Sequence, residues 1–299
     1  MIVSFGSINL DLIAAVQHLP RPGETVVGPG YRALPGGKGA NQALAARRAG
    51  AEVQLIGCVG CDSFAEPALV ELVAAGVGLD HLVRDPEAPT GCAFICVDSE
   101  GENQIAVALG ANARLKHSAV PDALLAPEAV LLLQREVTPE ESWELARRAS
   151  KRGATVVLNL APAGSVPADA LRCVDWLVLN ESEAAELARM HDLGEGSDAK
   201  ALANAFEIGV MTTLGAQGIA ACKNEDRWRI PALKITPVDS VGAGDAAVGA
   251  FAAALDRKLE IEESLRWASV AGALACLTPG AQTSLPSEAQ IRDGLRQLV

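Results

Sequence analysis

Short runs rich in β-branched and aliphatic residues alternate along this chain with longer segments whose apolar positions recur at helical spacing, and few folds accommodate that alternation. Ile2–Phe5, Val53–Val59, Val130–Gln134, Thr155–Asn159, Trp176–Leu179 and Ile208–Thr213 read as strands. Lys38–Ala49, Ser63–Ala75, Pro139–Arg152 and Glu181–Met190 read as helices. Strands separated by helices build βαβ units, so the expected fold is α/β, a three-layer α/β/α arrangement around a mostly parallel central sheet. The C-terminal part is helical in pattern, over Gly244–Arg257, Glu262–Leu277 and Ser287–Leu298. One α/β domain spanning residues 1–299 is expected, since a fold of this size hides about 75% of its unfolded surface without disulfides or metals. Two stretches, Leu12–Ala33 and Thr90–Ala108, depart from the rhythm and carry strand and turn signals instead. They predict a small β-sheet lid, formed by about residues 9–36 and 90–109, over a cleft.

Hydrophobic residues make up 49% of the chain but aromatics only 3%, so the core must be aliphatic. The net charge is −12, with no basic stripe of the kind that displaces counterions from nucleic acid. The longest apolar run, Ala246–Leu255, is about half of the ~20 residues that a membrane span needs. Arg21 is the first basic residue and Asp11 interrupts the early apolar stretch, which does not resemble a signal peptide and predicts a cytoplasmic protein. The seven cysteines include a Cys58-x-x-Cys61 pair and Cys92 and Cys96, at spacings unlike a zinc ribbon. Leu55–Val59 and Gly91–Val97 read instead as buried strands in which Cys acts as a small hydrophobe. No G-x-S-x-G elbow is present.

Four motifs can carry chemistry. Gly36-Gly37-Lys38-Gly39-Ala40-Asn41-Gln42 opens a helix and lets backbone N–H groups approach a ligand, with Lys38 and Asn41 on one face. It is no Walker A loop, because Arg32 stands where the first Gly would be and Gly39 follows Lys38. Asp239-Ser240-Val241-Gly242-Ala243-Gly244-Asp245 can form a nest of N–H donors at a helix N-terminus, with a carboxylate beside it. That pairing suits a general base next to a transferring phosphoryl group; Asp245 can equally be a first-turn acid favoured by the helix dipole. Gly242, Gly244 and Ala247 also match G-x-G-x-x-A, but too little chain follows Gly242 for a dinucleotide-binding sheet. Asn180-Glu181-Ser182-Glu183 follows a strand and reads either as an N-cap with its reciprocal Glu or as a carboxamide and carboxylate organising hydrated Mg²⁺. Asn9-Leu10-Asp11 places two polar side chains on one face of an extended segment, where sugar hydroxyls would satisfy them.

Together these segments, with Gly6-Ser7-Ile8, Pro22-Gly23-Glu24-Thr25 and Thr213-Leu214-Gly215, resemble the ribokinase-type carbohydrate kinases in order and spacing over nearly the whole chain. The Gly36–Gln42 motif looks more like the ribose-phosphorylating members than the fructose or adenosine kinases. The resemblance implies ATP-dependent transfer of phosphate to the 5-hydroxyl of D-ribose. It implies that Asn9, Asp11, Gly37, Lys38, Asn41 and Glu136 hold the sugar and that Asp245 takes the hydroxyl proton. The amides of Gly242, Ala243 and Gly244 would stabilise charge on the transferred group. Asn180, Thr213, Gly215, Gly218, Gly244 and Ser269 would line the ATP site, with Glu183 supporting Mg²⁺ through water. A K⁺ site would use Asp239, Val241, Ala275, Thr278, Gly280 and Ser284. The family pattern also implies a homodimer formed through the lid. This chain departs from it at Ala246-Ala247-Val248, Ser269 and Thr278-Pro279. Alternatives are a kinase of another sugar or a nucleoside, or a non-catalytic sugar sensor on the same fold; a Rossmann oxidoreductase is a more distant one.

Overall fold

Side chains alternate across each central strand and so feed two hydrophobic layers. Ile2, Val130, Leu132, Val157, Trp176 and Val178 join one core cluster, whereas Val3, Phe5, Leu131, Leu133, Leu158 and Leu177 join another. The computed structural model describes residues 1–194 and 198–298; residues 195–197 and Val299 of the predicted unit lie outside the described residues. Helices Lys38–Arg48, Ala243–Asp256 and Ile261–Ala275 cover the first layer, and Pro139–Lys151, Glu181–Met190 and Ala199–Phe206 cover the second. The sheet between them has eight strands in the order Asp226–Ile230, Ile219–Lys223, Gly209–Thr213, Trp176–Asn180, Thr155–Asn159, Val130–Leu133, Ile2–Phe5, Val53–Ile56. From Gly209–Thr213 onward all neighbours are parallel. The first two strands form an antiparallel edge. That edge hairpin and helix Ala199–Phe206 escaped the periodicity reading. The hairpin is short and charged at its tip, and turns on Asn224 at φ 55°.

The chain leaves Ile2–Phe5 for the neighbour on one side, Val53–Ile56, and later returns to the other side at Val130–Leu133. This reversal opens a crevice at the carboxyl ends of the strands, where open α/β sheets take ligands. The predicted continuous strand Val53–Val59 is corrected here: it breaks at Gly57, and Cys58–Gly60 pairs instead with Val83–Asp85. A Cβ at Gly57 would stand 2.5 Å from Ile8 Cδ1, so the chain passes too close to the loop after the first strand to stay in the sheet.

A second sheet has the order Tyr31–Gly36, Asn9–Ala15, Gly91–Val97, Asn103–Ala108. Asn9 and Gly36 are register partners, so this sheet joins the main body beside the entrance to helix Lys38–Arg48. Gly91–Val97 is buried only in its first half, because its second half faces away from the main body; Cys92 is buried, Cys96 partly so, and Cys61 lies exposed. Asn103–Ala108 is exposed throughout, and Phe94, Ile105 and Val107 leave an apolar surface open to solvent. Among the described residues, no helix is long and apolar enough to cross a membrane.

Candidate active site

Helix Ala243–Asp256 begins at the crevice because Gly242 takes φ 80° there; a Cβ on Gly242 would stand 2.7 Å from the Ala281 carbonyl oxygen. One turn in, Asp245 is 7% exposed, and its two oxygens accept hydrogen bonds from Asn41 Nδ2 and Gln42 Nε2, both at 2.9 Å. Those amides come from helix Lys38–Arg48, which can lie against the loop after the first strand because Gly39 has no side chain. A Cβ there would meet Gly6 C at 2.5 Å. Ser7 locks that contact, its carbonyl accepting from Ala40 N at 2.9 Å and its Oγ from Gly39 N at 3.3 Å.

Beside Asp245 the predicted sugar residues converge. Glu136 Oε2 accepts from Ser7 Oγ at 2.6 Å and from Lys38 N at 3.0 Å. Asn9 Oδ1 accepts from Asn112 Nδ2 at 2.8 Å. Burial pushes the Asp11 carboxyl up to about 7, with the charges of Glu136 and Asp245 adding to it. The opposite charge of Asp245, reinforced by Glu136 and Glu183, outweighs burial and raises the Lys38 ammonium, so it stays protonated. Gly37, at φ 90°, turns the chain into the helix between them.

On the other side of Asp245 a cavity of about 230 Å³ is lined by Lys38, Asn180, Glu183, Thr213, Gly242 and Gly244. It shares Thr213 and Gly244 with a more apolar cavity of about 120 Å³ that also contacts Gly215, Gly218 and Ser269. The Ser269 hydroxyl donates to Pro231 O at 2.8 Å, so in this pocket it offers acceptor capacity rather than a free proton. A larger surface hollow of about 510 Å³, around Arg135, Trp143 and Arg147, contains none of the predicted site residues.

The capping reading of Asn180 and Glu183 is the one the contacts show. They form a complete capping box, Asn180 Oδ1 accepting from Glu183 N and Glu183 Oε2 from Asn180 N, each at 2.8 Å, and they also face the larger of these two cavities. Burial raises the Glu183 carboxyl against the opposing effects of the Asn180 N–H and Lys38. Of the three predicted anion-hole amides, that of Ala243 is turned to Ser240 O at 3.2 Å. Gly242 and Gly244 have no N–H partner among the described residues, as expected at the open end of a helix.

The predicted cation loop closes on Asp239, whose oxygens accept from Val241 N at 3.0 Å and Gly280 N at 2.9 Å. Pro279 lacks the N–H that a continuing helix would return to the Ala275 carbonyl. Ser284 Oγ donates to Ala281 O at 3.1 Å, so its remaining capacity is as an acceptor. Thr278 lies exposed at the loop's outer edge.

Sequence reasoning missed Gln134, Asn159, Asn112 and Gln282 as site residues; all four are buried polar groups. Gln134 and Asn159 sit at strand carboxyl ends, which is the signal that could have marked them.

A family model for pfkB family carbohydrate kinases matches residues 1–288. The chain is 37% identical over 288 residues to the ribokinase of Haemophilus influenzae, covering 94% of each. Among solved structures, the Thermotoga maritima ribokinase superposes with a TM-score of 0.92 at 31% identity, covering 99% of both chains. The Arabidopsis thaliana ribokinase, solved with ribose and ATP, gives a TM-score of 0.89 at 29% identity, covering 99% of this chain and 98% of that one.

Proposed function

The chain belongs to the pfkB family of carbohydrate kinases, and from there we propose that it transfers the terminal phosphoryl group of ATP to the 5-hydroxyl of D-ribose. The observation that carries this reading is the Asp245 carboxylate, held by two amides between a polar cluster suited to a sugar and a cavity at a helix N-terminus. Asn9, Asp11, Lys38, Asn41 and Glu136 hold the sugar hydroxyls, and Gly37 lets the backbone approach. Asp245 takes the proton of the 5-hydroxyl as that oxygen attacks the γ-phosphorus, and ADP leaves with the bridging oxygen. Charge developing on the transferred group meets the N–H groups at the mouth of helix Ala243–Asp256, with Gly242 and Gly244 the two left open for it. Thr213, Gly215, Gly218 and Ser269 receive the nucleotide, and Asn180 the phosphates.

The site suits two metal ions. Glu183 and Asp245 are the carboxylates at the phosphate cavity, Asp245 already holding two amides, and no group of three or more His, Cys, Asp or Glu among the described residues could cage a metal. That fits Mg²⁺ held through water and phosphate oxygens, where it would neutralise phosphate charge. The carboxylate of Asp239 and carbonyls such as that of Ala275 fit K⁺, in a loop that abuts Gly242 through Ala281. The second sheet acts as a lid, its exposed apolar strands Gly91–Val97 and Asn103–Ala108 pairing two copies as a homodimer in the cytoplasm. The test is ADP release measured across ribose, 2-deoxyribose, other pentoses, hexoses and nucleosides. Ribose should show the highest kcat/KM, and a preference for a nucleoside or hexose would reject the reading.

Two further results are expected. At equal ionic strength, activity in K⁺ should clearly exceed that in Na⁺, because the Asp239–Gly280 loop orders the start of the helix; equal rates would remove the cation site. Ribose KM should fall roughly tenfold between pH 6 and pH 8, because hydroxyls donate to the Asp11 carboxylate and that form is populated only above about 7. Sugar binding then releases a proton. In Asp11→Asn the KM should be higher and flat over this range, and an unchanged slope would assign the titration elsewhere.

A further inference from the structure

The amides that hold Asp245 are themselves held. An ionised carboxylate only accepts hydrogen bonds, so Asn41 and Gln42 must both turn their NH₂ groups toward it, and their carbonyl oxygens must find donors elsewhere. Gln282 Nε2 donates to Asn41 Oδ1 at 3.0 Å, and Gln134 Nε2 donates to Gln42 Oε1 at 2.9 Å. Gln42 Nε2 also donates to Asn159 Oδ1 at 2.8 Å, and Asn159 is oriented in turn by its own Nδ2 donating to Val178 O at 3.2 Å. Two chains of amides, Gln134 to Gln42 and Gln282 to Asn41, therefore converge on one carboxylate from separate parts of the chain.

Gln134 is fully buried and Gln282 is 1% exposed. Neither lines the phosphate or nucleotide cavity, and neither hydrogen-bonds to Asp245. Each ends its chain with an Oε1 that has no partner among the described residues. Leaving a buried oxygen unmatched is unfavourable. Turning either amide over would set an NH₂ in that place and bring two oxygens together at Gln42 or Asn41. The direction of each chain is thus set at its Asp245 end.

We propose that Gln134 and Gln282 are positioning residues for phosphoryl transfer, fixing the Gln42 and Asn41 amides so that the Asp245 carboxylate is presented to the acceptor hydroxyl in one orientation. This rests on Asp245 acting as the base. A donor lost at either head lets the amide below it turn its oxygen toward Asp245 and displace the carboxylate.

The test is a double-mutant cycle on kcat, using Gln134→Met, Gln282→Met and Asp245→Asn. Methionine keeps the length of glutamine and removes the donor. Each Met variant should lower kcat by about 10–100-fold, the scale of a misplaced reacting group, with KM for ATP unchanged. In the Asp245→Asn background the same substitutions should change kcat by less than about twofold, because the group they position is gone. Equal losses in both backgrounds would mean that the glutamines only support packing, and that overturns the proposal. So would kcat within about threefold of the parent for both single variants. Asp245→Asn alone is the separate arm: if it keeps the parent kcat, the base assignment fails and the proposal with it, whereas a large loss there with silent glutamines rejects the relay alone. Should Gln134→Met not fold, Gln282→Met reads the same coupling from a different segment.

Discussion

Replacing Asp245 by Asn is expected to lower kcat by at least about a hundredfold, the range of a lost general base. Asn has nearly the same shape but cannot take the hydroxyl proton. If Asp245 were only a first-turn acid, the change would cost about 0.3–1 kcal/mol of stability through the dipole and leave the rate alone. The contacts of Asp245 add a second expected effect. Both of its oxygens accept amide N–H groups from Asn41 and Gln42, so a carboxamide there sets an NH₂ against one of them. An unmatched buried donor costs about 1–3 kcal/mol, and Tm should fall accordingly. Rate and stability therefore have to be measured together on protein shown to be folded. Asp256, at the far end of the same helix, pairs with the Met1 ammonium; Asp256→Asn should change stability somewhat and kcat hardly at all. If Asp245→Asn keeps more than about a tenth of the parent kcat with chemistry rate-limiting, phosphoryl transfer rests on positioning and the anion hole alone.

The second large effect is expected at Gly242. Alanine there meets two obstacles, a backbone at φ 80° and a Cβ 2.7 Å from the Ala281 carbonyl oxygen. The helix start and the Ala281 segment cannot both stay in place, and the strained φ falls on the helix start, so the open N–H groups are expected to move away from the phosphoryl position. Loss of one such donor costs about 10²–10³ in kcat. Gly244→Ala is the informative contrast, because nothing lies within 4 Å of a Cβ at that position. The fold should tolerate it with Tm unchanged, while KM for ATP rises, since Gly244 borders the point where the two cavities meet. A Gly242→Ala protein with kcat within threefold of the parent would show that the helix mouth is no anion hole.

Periodicity was enough to read the six strands of the parallel core and most of the helices between them, because burying one face of a helix or both faces of a central strand imposes a local repeat. The glycine motifs were legible for a similar reason. Close backbone approach and positive φ select glycine from the residue's own geometry, as Gly242 and Gly39 show. Asn180 and Glu183 were readable as a cap at i, i+3, and that cap is present. Their place on the cavity beside Asp245 depends on Lys38 and Asp245 arriving from far along the chain.

What lay beyond the sequence was decided by distance in space. Gly57 looks like any residue in an apolar run until Ile8 packs against it and ends the strand. Asp245 looks like an ordinary helix-start acid until Asn41 and Gln42, some two hundred residues earlier, donate to its oxygens. Gln282 carries no local pattern, and Gln134 and Asn159 only a place at a strand's carboxyl end; a buried amide is stable wherever a partner is supplied, and only the tertiary structure says where that is. The Asp11 carboxyl is pushed up to about 7 by burial and by two carboxylates that only the folded chain brings beside it. Hydrophobic faces repeat along a chain and can be read from it. The partners of a buried polar group are set by how those faces finally pack.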